Sequence, residues 1–181
     1  NLAVINQTAF IKANFYQANF KQLNLSLCQF IECELAVSNF HGAILKQAGF
    51  MKAHLQNAVF DNADLEMANF YEADLTNASF EKANLSKSSM QKSKIISANL
   101  VDTNLQMAQL GEALIKQSFL SSSNMEYADL SHAILEDCNF SNTRMESANM
   151  HETIDVSNIW EGSTRRAALG TDPKRLKAEQ W

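Results

Sequence analysis

Large apolar residues recur at every fifth position from Ile5 to Met150, thirty in succession: 13 Leu, 10 Phe, 4 Met and 3 Ile. Two residues before each stands a small one (18 Ala, 5 Ser, 3 Thr and 3 Cys), with Leu23 the exception. A period of five suits neither standard element. On an α-helix it advances about 500°, so the apolar residues would wander around the axis. On a flat strand it is odd, so successive repeats would face opposite sides. One bend per repeat keeps every large side chain pointing inward, and four bends close a square coil of 20 residues. Such coils stack, each burying its apolar face only against its neighbours.

The alternation of Phe and Leu supports four sides. Phe20, Phe30, Phe40, Phe50, Phe60, Phe70 and Phe80 interleave with Leu25, Leu35, Leu45, Leu55, Leu65, Leu75 and Leu85. A square coil places Phe10, Phe30, Phe50 and Phe70 in one vertical stack and Phe20, Phe40, Phe60 and Phe80 in the facing one. A 15-residue triangular coil would scramble these columns. Beyond Leu85 the frame continues with Met90, Ile95 and Leu100, so the upper half is aliphatic.

The units Ala63-Asp64-Leu65, Ala68-Asn69-Phe70, Ala73-Asp74-Leu75, Ala83-Asn84-Leu85 and Ala98-Asn99-Leu100 resemble the A(D/N)LXX repeat of pentapeptide-repeat proteins. The resemblance covers residues 1 to about 154. It implies an all-β fold, the right-handed quadrilateral β-helix. Departures are mild: 14 of the 30 residues preceding the core position are Asn or Asp, and Leu23, Ile44, Leu114, Phe119, Ile134 and Arg144 lie off the consensus.

Thirty repeats make about seven and a half coils, roughly 36 Å tall at an inter-strand spacing of about 4.8 Å. The expected solenoid spans residues 1–154. Asp155 falls in the core column above Ile115 and Leu135, where a buried carboxylate is costly. Residues 155–181 therefore read as a separate capping or dimerising segment. Trp160 returns in phase with Phe140. Ser163 to Ala168 suits a short helix, with Ser163 or Thr164 as its N-cap and Gly170 as its stop. A second short helix opens at Asp172-Pro173. Its apolar residues, with Trp160 and Leu169, are Leu176 and Trp181. They either shield open strand edges or dock a second copy, since C-terminal dimerisation is known in the family that the repeats resemble. The chain starts in frame without Met, which suggests that a leader or preceding domain has been removed.

Candidate chemistry is sparse. Cys28, Cys33 and Cys138 all occupy the small inward position, where they replace Ala as small buried groups. Three sparse cysteines suit a reducing compartment, and a cytoplasmic location is expected. No apolar run reaches membrane-spanning length. There is no Gly-rich phosphate loop and no triad with a cleft, so catalysis and cofactor binding are not expected. His132 lies below Glu152 and one position from the column of His151, but a metal site needs three or four converging ligands, and none is expected. Lys82, Lys87, Lys92 and Lys94 are diluted by Glu72 and Glu81, which argues against nucleic-acid binding.

The outward positions carry the remaining information. One column reads Lys12, Glu32, Lys52, Glu72, Lys92, Glu112, His132, Glu152, a sign alternation that specifies register. Beside it run Ile11, Ile31, Met51 and Tyr71, with Tyr16 one face further on. This apolar strip is the first candidate contact surface for another protein. Leu114, Phe119, Ile134 and Ile154 form a second group, suited to packing under the C-terminal segment. The net charge of −5 is uneven: residues 1–100 are neutral, whereas residues 101–154 carry eight acids against Lys116 and Arg144. Glu126 and Glu146 share one column, and Glu136 and Asp137 lie on another face. The family resemblance adds an alternative here, because some members imitate DNA and bind DNA gyrase. The reading is thus a non-catalytic scaffold for a protein partner, with a gyrase-directed DNA mimic as the alternative.

Overall fold

A computed structural model describes residues 7–171. The chain forms a right-handed quadrilateral β-helix of about seven coils. The strands are three residues long, each centred on a position of the five-residue frame. They are β1 (Ala9–Ile11), β2 (Gln29–Ile31), β3 (Lys94–Ile96), β4 (Leu114–Lys116), β5 (Ile134–Glu136) and β6 (Ile154–Val156). All pair in parallel, β1 with β2 and β3 through β6 in order, with a register of 20 residues: Phe10 lies against Phe30 and Ile115 against Leu135. Elsewhere the faces are single-residue bridges in the same register, from Asn14–Glu34 to Asn149–Leu169.

The frame holds throughout the described core. Phe30, Phe40, Phe50, Phe60, Phe70 and Phe80 are fully buried, as are the Leu residues between them. The Phe residues form the two expected stacks. Phe40 and Phe60 lie 4.8 Å apart at 1°, and Phe30 and Phe50 lie 5.3 Å apart at 7°. The facing stacks meet edge-on, as Phe60 and Phe70 do at 5.8 Å and 90°. Both geometries favour the ring quadrupole over a face-to-face sandwich.

Each corner is closed by backbone chemistry. The residue two places past the core position sits in the left-handed region at every corner from Gln7 to Gly162, with Gly only at positions 42 and 162. Most corners are β-turns: Ala58 N–H donates to the Leu55 carbonyl at 3.0 Å. The preceding Asn or Asp completes the turn by accepting from the N–H two residues on. All fourteen such residues do so, for example Asn99 from Val101 at 3.1 Å and Asp74 from Thr76 at 3.1 Å. Asparagine amides also link coils, as Asn104 Nδ2 donates to Asn84 Oδ1 at 3.1 Å.

The corners after β3 and β5 lack the turn bond. There the N–H of Ala98 is taken by Ser118 Oγ at 3.1 Å, and that of Cys138 by Asn158 Oδ1 at 2.8 Å, both from the coil above. Two of the cysteines also make polar contacts. Cys138 Sγ donates to the Ile115 carbonyl at 3.4 Å, and Cys33 Sγ to the Phe10 carbonyl at 3.3 Å. Burial pushes both thiols above their ordinary pKa. All three cysteines are buried.

The ladder continues past residue 154. Ile154–Val156 pairs with β5, Ile159 bridges Asn139 and Leu169 bridges Asn149. Asp155 is held in the core column by Asn158 Nδ2 (2.8 Å), Trp160 Nε1 (3.2 Å) and the Arg165 guanidinium. The helix expected over Ser163 to Ala168 is one 3-10 turn, Arg165–Ala167. Its neighbours spend their backbone groups on the coil below instead: Thr164 N–H bonds the Thr143 carbonyl at 3.0 Å and Leu169 N–H the Ala148 carbonyl at 2.7 Å. The expected second helix, with Leu176 and Trp181, lies outside the described residues.

Candidate protein-contact surface

A filled axis leaves function to the walls. Ile11 and Ile31 are Cα partners in β1 and β2, and Met51 and Tyr71 follow one and two coils above. The strip is graded. Ile11 is 63% exposed, while Ile31, Met51 and Tyr71 are half-buried because each neighbour shields the next. Tyr16 stands on the adjoining face at 57% exposure. Above Tyr71 the column continues as Gln91, Gly111, Ser131 and His151, so the apolar part ends there. Lys92 Nζ lies 6.0 Å from the Tyr71 ring centroid and marks this boundary.

The flanking charge column resolves into discrete pairs: Lys12–Glu32 at 3.4 Å, Lys52–Glu72 at 3.5 Å, Lys92–Glu112 at 3.6 Å and His132–Glu152 at 3.2 Å. Each joins a residue to the one directly above it. Exposed pairs of this kind contribute about 0–1 kcal/mol each.

The upper acids are partly neutralised. Glu126 binds the Arg144 guanidinium and accepts from Gln106 Nε2 at 3.3 Å. Glu136 pairs with Lys116 across β4 and β5. Glu146 stands one coil above Glu126, and Asp137 is exposed at the corner beyond Glu136. Arg144 occupies an off-consensus position just before a core residue, which is what brings its long side chain back over Glu126.

At the C-terminal end, Trp160 stacks on Phe140 at 4.2 Å and 11°, with the Arg165 guanidinium 5.0 Å from the Trp160 ring centroid. Leu169 is exposed. A cavity of about 300 Å³ opens there, lined by Met150, Thr153, Asp155, Arg165, Ala168, Gly170 and Thr171.

Sequence reasoning missed one exposed apolar edge. Leu27, Met67, Met107 and Tyr127 share a single corner column, interrupted by Gln47 and Lys87. Their spacing of 20 or 40 residues is readable, but the interruptions hide it from a scan of neighbouring repeats.

The family model described as Pentapeptide repeats matches in eight copies, over residues 8–47, 53–91, 68–106 and 120–154. No curated protein sequence matches the chain. Among solved structures, the fold is similar to a trypsin-treated variant of QnrB1, a plasmid-mediated fluoroquinolone resistance protein. The TM-score is 0.74 at 14% identity, covering 99% of this chain and 97% of that one. A second trypsin-treated QnrB1 variant gives 0.71 at 15% identity, covering 96% and 92%. HetL, a pentapeptide repeat protein involved in heterocyst differentiation regulation in the cyanobacterium Nostoc, is 22% identical over 90% of this chain and 89% of its own, with a TM-score of 0.38. No helix among the described residues is long and apolar enough to cross a membrane.

Proposed function

The chain belongs to the pentapeptide-repeat family, and from that premise we propose that it is a rigid, non-catalytic rod that binds another protein through its lower-coil apolar strip. The observation that carries this reading is the run Ile11, Ile31, Met51 and Tyr71 on one wall, with Ile11 and Tyr16 well exposed. Strand pairing sets these side chains in a straight line at about 4.8 Å intervals. Such a line suits an apolar ridge on a partner, and the paired charges beside it form a polar rim. The backbone beneath needs no ordering on binding, which lowers the entropic cost of association.

The test uses Ile31→Lys and Tyr71→Glu. Both should abolish co-purification of the partner at unchanged melting temperature, because neither residue reaches the core. Retained binding in both variants, or loss of binding together with loss of folding, removes the strip from consideration.

A second reading rests on the acidic balance of residues 101–154. It takes the chain as a DNA mimic directed at gyrase or a similar DNA-binding enzyme. The likeness to QnrB1 supplies shape and nothing more. The pairing of Glu126 with Arg144 and of Glu136 with Lys116 weighs against it. A gyrase supercoiling assay separates the two. The mimic must inhibit at micromolar protein and weaken on Glu126→Lys and Glu146→Lys, whereas the scaffold has no effect.

A further inference from the structure

One corner of the upper coils gathers three metal-ligating side chains from two turns of the solenoid. His132 and Glu152 occupy the left-handed position of successive coils, with φ of +59° and +49°. They stack directly, with His132 Nδ1 3.2 Å from Glu152 Oε2. His151 precedes Glu152, and its ring meets that of His132 edge to face at 5.5 Å and 90°. One ligating atom from each of the three falls within 4.8 Å of the others. His151 is 1% exposed, so this imidazole is held against the wall rather than waving in solvent.

The backbone fixes this arrangement. His132 N–H donates to the His151 carbonyl at 2.9 Å, tying the two coils at the site itself. His151 N–H donates to Asn149 Oδ1 at 3.0 Å, and Asn149 Nδ2 to Asp129 Oδ1 at 2.9 Å. Glu152 N–H donates to Thr171 Oγ1 at 3.2 Å. In the column beneath His151 stand Ser131 and Gly111, which bring no bulky side chain toward the ring. Glu112, below His132 in the same column, is engaged by Lys92 at 3.6 Å.

We infer that His132, His151 and Glu152 form a binding site for a divalent transition ion of the zinc class. Two imidazoles and one carboxylate are a donor set that zinc accepts, with a fourth tetrahedral position left for water. Hard ions such as magnesium prefer oxygen ligands and keep their waters, so the same set discriminates against them. The ligands come from two coils, so the bound ion clips the last coil to the one below. Because the ion binds only the folded arrangement, it stabilises by mass action. This site is separate from the apolar strip and does not depend on it.

The test is calorimetric titration of the chelator-stripped protein with zinc chloride, paired with thermal unfolding. The wild type is expected to bind one equivalent saturably, with a higher melting temperature in zinc and no response to magnesium. His132→Ala and Glu152→Gln should each weaken zinc binding more than about tenfold, since even outer partners of a metal site are worth that much. Glu152→Gln is the safer of the two for folding, because it changes an exposed side chain without altering its size. His54→Ala disrupts another surface pair, His54–Glu34 at 3.5 Å, and should leave the isotherm unchanged. No saturable zinc binding, an isotherm unaffected by both site variants, or binding lost on His54→Ala would each overturn the assignment.

Discussion

At the scale of single residues, the solenoid asks most of its corners. Among the described residues, thirty non-Gly residues hold a positive φ, a conformation that costs an L-residue roughly 1–2 kcal/mol. Lys, Glu, Gln, Asn and Ser fill most of these sites, and Val37 is the one β-branched residue among them. Branching at Cβ makes this region still less favourable. Val37→Gly should therefore raise stability by about 1 kcal/mol, measured as a higher urea midpoint at unchanged slope. Asp74 shows how the turn residues titrate. Burial pushes its carboxyl up, but the Thr76 hydroxyl and N–H, the Gln56 side chain and Lys94 outweigh burial and hold it below the ordinary carboxylate range. A depressed folded value stabilises the protein above the unfolded pKa of about 4. That contribution is lost as pH falls through the lower folded value. Asp74→Asn should accordingly flatten the acid limb of the stability profile, while wild type and variant converge once the wild-type carboxyl is protonated.

At the scale of the element, two corner designs share one sequence frame. The β-turn corner satisfies its own N–H, so the inward small residue is free to be apolar. The open corners after β3 and β5 give that N–H to a side chain from the next coil. Ser118 accepts from Ala98 and donates to the Ile95 carbonyl at 2.9 Å. Ser88 looks identical in the sequence but sits at a β-turn corner, and its buried hydroxyl has no hydrogen-bond partner. Ser118→Ala should destabilise by about 1–3 kcal/mol by orphaning a buried N–H, whereas Ser88→Ala should be neutral or stabilising. Chemical denaturation of the two variants side by side checks this. Sequence reasoning found the corners because spacing alone sets them. It treated Cys33 and Cys138 as substitutes for Ala because a thiol's hydrogen bond reaches back 23 residues, across a coil that only the closed structure supplies. The partners of Asp155 were hidden for the same reason: Asn158, Trp160 and Arg165 lie close by in sequence, but only the turning of the last coil aims them at one carboxylate.

At the scale of the whole molecule, the core and the walls differ in how far the sequence reveals them. The four columns, the paired Phe stacks and the parallel register follow from a period of five and its multiples. The walls depend on where long side chains travel. Arg144 covers Glu126, and Lys46 reaches both Asp64 at 3.2 Å and Glu66 at 3.1 Å. Lys46–Glu66 is a 20-residue stack, but Lys46–Asp64 and Arg144–Glu126 are not, and the Arg144 pair shows that counting charges by column overstates how acidic the upper coils are. The apolar strip was legible because backbone pairing alone aligns it, and His132, His151 and Glu152 converge for the same reason.

The uniform 20-residue register also makes the rod modular. Excising residues 61–80 removes one whole storey, and the floors above settle onto the floors below in unchanged register, with Met90 over Phe50 and Leu100 over Phe60. Excising only residues 61–65 rotates everything above by a quarter turn, sets the Leu columns over the Phe columns and shears the surface strip at the cut. The longer deletion should yield a shorter, cooperatively melting rod, and the shorter deletion a less stable one, as differential scanning calorimetry would register.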